Sequence, residues 1–499
     1  MNHGMQAMEA RWNDLRRVSR RHFLEKCQLG LGALALHELA GSSSRASVVG
    51  NASANPLAPK APPLAPRAKH VIYLHMTGAP PQQELFDYKP KLVEYNMQPC
   101  PDSLLEVLKK ERLPFIDLKA RRPKMLGTPY QFAPRGQCGT LVSELLPNIS
   151  TFIDDMAVVK SMYTTQFNHA PAELLLYTGS PRFGSASMGS WATWGLGSEN
   201  ANLPGFVVLV SGGSDPSGGK SLWGSGFLPS IYQGVQCRTQ GDPILFVSDP
   251  PGMDRSVRRQ SLDALGQLNQ LELNAFGDPE TETRINQYEL AFRMQMSVPE
   301  VMDLSREPLH IQRAYGVEPG QERFANNCLL ARRLVEQGVR FVQLFHYGWD
   351  FHGVSVDTDI VQGLPGKCAE VDRPIAALIR DLKERGLFEE TLIVWGGEFG
   401  RTSMNEERNG SKMLGRDHHP HCFTIWMAGG GIKGGISFGE TDELGYFITE
   451  NKVSVHDLQA TILHLLGFDP KHLSYPYQGL EQRLIGPSDE ARVRHELLA

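Results

Sequence analysis

Carboxylate and imidazole side chains lie next to three apolar runs of this sequence. Asp350 and His352 follow the first run, Glu398 follows the second, and Asp417 and His418 precede the third. Neutral imidazole and carboxylate groups bind the same divalent metals. Ligands of an open α/β sheet bind where its strands end, so the three segments together predict a metal site at one edge of a sheet.

Each segment also has a purely structural interpretation. Asp350 could close an Asx turn beside a solvated His352, and Glu398 could close the glycine-rich turn in which it lies. We favour metal ligands for all three residues because the segments occur together. Arg401 could pair with Glu398 or bind an anionic substrate, since a guanidinium makes bidentate contacts with oxyanions, and both roles stay open.

More imidazoles follow Asp417 than one site can use. His418, His419 and His421 are close in sequence, and successive side chains of an extended segment point to alternate faces. His418 is therefore the preferred ligand. Asp417 and His419 are the neighbours that could take its place.

His169 begins a predicted helix that ends at Gly179. A helix N-terminus beside a strand end is suited to binding an anion. The helix dipole disfavours imidazolium, so we expect a neutral His169 unless a bound anion or a carboxylate offsets the dipole. His169 is a candidate nucleophile or acid/base, and the alternative is a hydrogen-bonded structural histidine.

Apolar runs of strand length alternate with segments of helical periodicity along the chain. We predict buried strands over residues 70–76, 156–160, 206–210, 341–345, 391–395 and 422–428. We predict helices over residues 143–154, 169–179, 256–275, 280–296, 321–337, 368–385 and 454–466. This alternation is typical of an α/β fold, with a mainly parallel sheet covered by helices on both faces and an insertion over about residues 211–320.

The charge of the chain is unevenly distributed. Residues 1–68 hold nine Lys/Arg against four Asp/Glu, so about +5, whereas the whole chain carries −5. The remaining residues therefore carry about −10, which is a poor match to the basic surface of nucleic-acid-binding proteins. The seven cysteines include no Cys-x-x-Cys pair, which excludes a zinc ribbon or a thioredoxin-like motif.

The N-terminus has the pattern of an export signal. Ser19-Arg20-Arg21-His22-Phe23-Leu24 precedes a short apolar run and a stretch of small residues that ends near Ala46. This pattern resembles a twin-arginine signal and is too short to stay in a bilayer. Residues 47–69 are rich in Ala and Pro and are interpreted as an extended linker to a domain over residues 70–499. We expect a periplasmic or secreted protein with no stable membrane insertion once the signal is removed.

Several motifs together resemble an uncharacterised family of exported sulfatase-like proteins in the alkaline phosphatase superfamily. They are the first strand, the His169 helix that ends in Leu-Leu-Leu-Tyr-Thr-Gly, and the segments Trp-Asp-Phe-His-Gly, Gly-Glu-Phe-Gly-Arg-Thr and Gly-Arg-Asp-His-His-Pro. The resemblance covers residues from about 70 to 480. It implies an alkaline phosphatase-like fold that binds a divalent metal, such as Zn, Ca or Mg, and hydrolyses sulfate or phosphate esters of small molecules or glycans.

The resemblance also implies roles for individual residues. Asp350 and His352 stand at the position of an Asp/His ligand pair, Glu398 at that of an Asp ligand, and His418 at that of a later His ligand. His169 stands where sulfatases have Cys and phosphatases have Ser or Thr.

The sequence departs from that pattern in ways that affect the expected chemistry. The Asp expected after the first strand is missing, since Met76-Thr77-Gly78 lies there, and Phe399 replaces a His. Without a hydroxyl nucleophile, we expect a metal-activated water to attack directly, with His169 as acid or base. The rival interpretations are a non-catalytic scaffold that binds an anionic glycan and a structural protein of the cell envelope.

Overall fold

The computed structural model describes residues 55–111, 122–238, 243–244, 254–276, 279–488 and 490–499. Residues 55–499 form one compact unit. The predicted export signal, over residues 1–46, lies outside the described residues. No helix among those described is long and apolar enough to cross a membrane.

A nine-stranded sheet forms the centre of the molecule. Its strands are β1 (His70–Thr77), β2 (Met156–Tyr163), β3 (Phe206–Ser211), β4 (Val235–Cys237), β5 (Phe341–Tyr347), β6 (Thr391–Gly396), β7 (Phe423–Ala428), β8 (Ile436–Phe438) and β9 (Val453–Ser454). Their order is β8-β2-β7-β6-β1-β5-β3-β4, and β9 also pairs with β2.

The central strand is β1, which pairs in parallel with β5 on one side and with β6 on the other. All eight of its residues are buried, as expected for a strand whose two faces are both covered. Strand β7 is antiparallel to both of its neighbours, and the other pairings of the sheet are parallel. The predicted mainly parallel α/β sheet is therefore confirmed.

Helices occupy the connections between these strands. They are α1 (Gln82–Leu85), α2 (Pro90–Glu94), α3 (Asp102–Glu111), α4 (His169–Thr178), α5 (Met188–Leu196), α6 (Arg255–Phe276), α7 (Pro279–Met302), α8 (Leu309–Tyr315), α9 (Phe324–Glu336), α10 (Leu364–Glu384) and α11 (Val455–Leu465). Helices α6, α7 and α8 lie within the predicted insertion.

The predicted helix over residues 143–154 is wrong. The segment contains the end of a short strand, Thr140–Ser143, and a 3-10 helix, Ile149–Asp155. Pro147 lies between them, and the residue before a proline is biased away from the α-helical conformation, so a continuous helix is disfavoured.

Residues 55–69, which the sequence assigned to an extended linker, lie against the domain. The backbone N–H groups of Lys60, Leu64 and Arg67 donate to the carbonyl groups of Leu196, Gly467 and Leu465. Leu57 and Ala68 are buried. This part of the segment is therefore integrated into the fold.

Candidate metal centre

The candidate site lies where β1, β5 and β6 end. Because these three strands are parallel neighbours, their carboxyl ends meet at one edge of the sheet. The chain after β5 carries Asp350 and His352, and the turn after β6 carries Glu398. Helix α4 brings His169 to the same place, and the short strand His418–His419 brings His418.

Three imidazoles surround one carboxylate oxygen. The Nε2 atoms of His352, His418 and His169 lie 2.9, 3.4 and 3.5 Å from Oδ1 of Asp350. The Nε2 atoms of His352 and His418 are 3.1 Å apart. A metal with four ligands at about 2.0–2.1 Å separates neighbouring ligand atoms by about 3.3–3.4 Å in a tetrahedron. The ligand atoms of His169, Asp350 and His418 lie within 4.8 Å of one another and could hold one ion, and Nε2 of His352 adjoins those of Asp350 and His418.

Each of the three imidazoles is held by a hydrogen bond from its other nitrogen. Nδ1–H of His169 donates to Glu398 over 2.5 Å, and that of His418 donates to the carbonyl of Phe167 over 2.8 Å. Nδ1–H of His352 donates to Glu406. In each imidazole, Nε2 is therefore the nitrogen that faces Asp350 and could bind a metal, which is the usual arrangement of metal-binding histidines.

Arg401 completes the environment of Asp350. Its guanidinium contacts Oδ1 of Asp350 and the carbonyl of Gly78, and it donates to the carbonyls of Ala79 and Arg416 at 3.0 Å each. Arg401 is fully buried, so a substrate anion has no exposed guanidinium surface to contact. The structure therefore gives Arg401 a role in orienting Asp350, and its carboxylate partner is Asp350 instead of Glu398.

The electrostatics keep Asp350 ionised. Burial alone would raise the pKa of Asp350, but the Arg401 charge and the three imidazoles hold that pKa well below its usual range. Burial, together with the charges of Arg401 and His169, lowers the pKa of His418 to about 4. His418 is thus neutral at physiological pH, as a metal ligand must be.

His169 behaves differently because it faces two carboxylates. Burial would lower the pKa of His169, but hydrogen bonds to Asp350 and Glu398 outweigh this effect and raise the pKa to about 9. The carboxylates thus offset the dipole of α4, which by itself favours the neutral imidazole. A metal that takes His169 as ligand must displace its proton.

Glu398 lies outside the group around Asp350. One of its oxygens accepts from the backbone N–H of Gly78 (3.1 Å) and from His169, and the other faces Nε2 of His75 at 3.3 Å. Glu398 therefore orients His169. With His75 and Glu173 it forms a second, fully buried group whose ligand atoms lie within 4.8 Å of one another and could also hold a cation.

In this buried group, Nε2 of His75 faces two carboxylates, Glu398 at 3.3 Å and Glu173 at 3.8 Å. Burial would lower the pKa of His75, but Glu173 and Glu398 outweigh it and raise the pKa to about 9. Sequence analysis missed His75 because it lies inside an apolar strand. Glu173 had a usable signal, since it follows His169 by four residues and so shares its helix face.

The remaining predicted residues lie at the periphery. Asp417 accepts the backbone N–H of His418 (2.8 Å) and groups with His352 and Glu406, so it faces the outer side of His352. Glu406 was missed because it lies in a polar loop without apolar periodicity. His419 points away from the site and contacts the carbonyl of Tyr446 at 2.7 Å.

Among the described residues of the site, exposure to solvent is greatest at Asp350 and His169. The side chain of Asp350 is 39% exposed and that of His169 is 20% exposed, whereas Arg401 and Glu398 have no exposed surface. Phe399 closes the inner side, with its ring 4.5 Å from that of His418 and 5.0 Å from that of His169. A ligand from solvent therefore reaches the Asp350 and His169 side first.

Three imidazoles and one carboxylate narrow the choice of metal. Imidazole suits zinc and other first-row transition metals, whereas calcium and magnesium prefer oxygen ligands. Of the three metals that the sequence resemblance allowed, zinc fits these four residues best. Calcium and magnesium fit them poorly.

The sheet and its histidine-rich edge define an α/β protein with a candidate metal centre at the carboxyl ends of its strands. The chain belongs to the family described as "Protein of unknown function (DUF1501)", whose model matches residues 68–498. No curated protein matches the sequence.

Solved structures similar to the chain are sulfatases and alkaline phosphatase-superfamily proteins, as the sequence motifs suggested. They include PsFucS1 sulfatase from Pseudoalteromonas sp., at 13% identity over 86% of this chain and 74% of that one, with a TM-score of 0.34. Phosphonate monoester hydrolase SpPMH from Silicibacter pomeroyi matches at 14% identity over 71% of each chain, with a TM-score of 0.32.

A protein in the alkaline phosphatase superfamily from Vibrio parahaemolyticus matches at 12% identity over 83% of this chain and 71% of that one, with a TM-score of 0.32. The structure of Ps i-CgsB in complex with k-i-k-neocarrahexaose matches at 12% identity over 64% of this chain, with a TM-score of 0.32. The match spans 66% of the Ps i-CgsB chain, which is just under two thirds of that chain's length.

Proposed function

We propose that this protein is a metal-dependent hydrolase of sulfate or phosphate esters. The observation that supports the proposal is the convergence of three Nε2 atoms, from His169, His352 and His418, on Oδ1 of Asp350. The ester belongs to a small molecule or a glycan. A divalent metal, when bound, supplies a Lewis acid for the ester oxygens and lowers the pKa of water.

The residues of the site have separate roles in this proposal. Asp350 and the imidazoles of His352 and His418 hold the metal, and Arg401 keeps Asp350 ionised and in place. The N-terminus of α4 lies beside the open side and favours the negative charge of a sulfate or phosphate group. Phe399 excludes water from the inner side.

His169 has two roles compatible with this geometry. It can act as the fourth ligand, or it can hold and transfer a proton at Nε2 while Glu398 fixes its Nδ1–H. In the part of the chain that the structure describes, no Ser, Thr or Cys side chain hydrogen-bonds to any of the four clustered residues. Direct attack by water is therefore the proposed route.

A second candidate is also compatible with the lack of such a hydrogen-bonded hydroxyl or thiol among the described residues. A scaffold with the same site and no nucleophile could bind an anionic glycan without turnover, or act in the cell envelope. Turnover of a simple ester separates these candidates from the hydrolase.

The test is hydrolysis of aryl sulfate and aryl phosphate esters by the metal-loaded protein. We expect turnover that a chelator abolishes and that falls about 10²–10⁴-fold in His169→Ala, the usual range for acid–base catalysis. His464→Ala, whose ring contacts His495 and none of the site residues, serves as the control and should not change the rate. Metal content is measured in parallel, because a loss of metal in His169→Ala identifies a ligand.

Two results would contradict the hydrolase. One is a metal-loaded wild-type protein without turnover of either ester. The other is turnover that appears only in His169→Ser or His169→Thr, which would identify a scaffold that lacks its nucleophile.

A further inference from the structure

Helix α6 of the insertion packs on α7 through one face and leaves apolar side chains exposed on the opposite face. Its inner face packs on α7, where Arg259 pairs with Glu289 (2.6 Å) and lies over the ring of Phe292. Leu262 and Leu273, on the same side, are partly buried. Helix α7 connects in turn to the body of the molecule, for example through Gln287 and Ser230 (2.9 Å).

The outer face of α6 carries a stripe of small and apolar residues with coiled-coil spacing. Residues 257, 261, 264, 268 and 271 follow one another at alternating intervals of four and three, as the core positions of a heptad do. Leu268 is 62% exposed and Leu271 is 66% exposed, and Val257 is exposed as well. Among the described residues, none buries this stripe, and an apolar stripe of this length is typical of a protein–protein contact.

We propose that α6 pairs in antiparallel orientation with α6 of a second copy of this chain. In the register that packs Leu268 against the partner subunit's Ala264, Arg258 lies beside the partner subunit's Glu272. By symmetry Glu272 lies beside the partner subunit's Arg258, and Leu265 faces the partner subunit's Leu265. The outer face of α6 is thus complementary to itself in charge.

The opposite orientation is disfavoured by the same residues. A parallel pair would place the flank that carries Arg258 and Glu272 against the uncharged flank of the partner helix, so the pairing of Arg258 with Glu272 would be lost, and it would align the two helix dipoles. The second flank of the stripe is polar without charge, with Gln260, Gln267 and Asn274, and it opposes neither orientation.

The contact is small, so the dimer should be weak. Helix α6 has 22 residues and is therefore about 33 Å long. One helix face from each subunit is at the low end of interface sizes, and we expect a dissociation constant on the order of micromolar. This inference does not depend on the metal centre.

The test is the mass of the full chain in solution, measured by light scattering or sedimentation from about 1 to 100 µM. We expect the mass to rise from monomer to dimer over this range. Leu268→Glu with Leu271→Glu should weaken association at least about 100-fold, with unchanged circular dichroism. Leu309→Glu, an equally exposed leucine on α8, should leave association unchanged.

A charge exchange tests the register itself. Arg258→Glu should weaken the dimer, because it places two carboxylates together at each end, and adding Glu272→Arg should restore it. A monomer at every concentration would overturn the proposal. A dimer that survives Leu268→Glu with Leu271→Glu, or a charge exchange that restores nothing, would also overturn this interface.

Discussion

Asp350 is the residue on which the site depends. It has contacts with Arg401 and with the Nε2 atoms of three histidines. The sequence could suggest Asp350, His352 and His418 because each lies beside an apolar strand. It could not show that Arg401 pairs with Asp350, because the direction of a side chain after a glycine-rich turn depends on the neighbouring strands.

The hydrogen bond between Glu406 and His352 gives the first residue-scale prediction. Glu406→Gln replaces the charged acceptor of Nδ1–H by a neutral one, so the imidazole is held less firmly and is less basic. We expect metal affinity to fall about 10–100-fold, as measured by titration against a chromophoric chelator. The control is Glu443→Gln, an exposed glutamate that pairs with Lys91, and it should bind metal as the wild type does.

Equal affinities of Glu406→Gln and the wild type would show that Glu406 does not orient a metal ligand. An equal loss of metal affinity in Glu443→Gln would show that the effect comes from the net charge of the protein and not from the hydrogen bond to His352.

At the scale of elements, the strands were predictable and their connections were not. Three buried strands were predicted from mainly apolar segments, at residues 70–76, 341–345 and 391–395. Each strand is longer by one or two residues in the structure. The segment over residues 143–154 misled the prediction because its apolar spacing outweighed a proline signal. The buried contact between His75 and Glu398 joins β1 to the turn after β6, and no local pattern reports such a contact.

The turn after β1 carries the element-scale prediction. Gly78 has a φ of +110°, and a Cβ at this position would lie 2.6 Å from the backbone nitrogen of Asp350. Gly78→Ala should therefore displace Asp350 and weaken metal binding as well as the fold. Gly184→Ala is the matched control, because Gly184 has a φ of +104° and no atom within 4 Å of such a Cβ.

We expect the free energy of unfolding to fall by about 1–2 kcal/mol in Gly184→Ala, from backbone strain alone, and by at least about 2 kcal/mol more in Gly78→Ala. Urea unfolding measures both. Equal losses in the two variants would mean that the turn after β1 can relax without disturbing Asp350.

At the scale of the whole molecule, the N-terminal sequence supports a proposal of export. The Arg20-Arg21 pair precedes a short apolar run, as in a twin-arginine signal. We expect Arg20→Lys with Arg21→Lys to retain the protein in the cytoplasm, as seen by cell fractionation. Normal export of that double variant would remove the twin-arginine proposal and leave the metal centre unaffected.

The composition of the metal centre tests the central claim most directly. We expect wild-type protein that has not been exposed to a chelator to contain at least one transition metal per chain, as measured by elemental analysis. X-ray absorption should show imidazole nitrogen and carboxylate oxygen ligands at about 2.0–2.1 Å. His352→Ala and His418→Ala should each lower the metal content, while His464→Ala should not. A wild-type protein without stoichiometric metal, or a metal surrounded by oxygen ligands alone, would contradict the site built from His169, His352, His418 and Asp350.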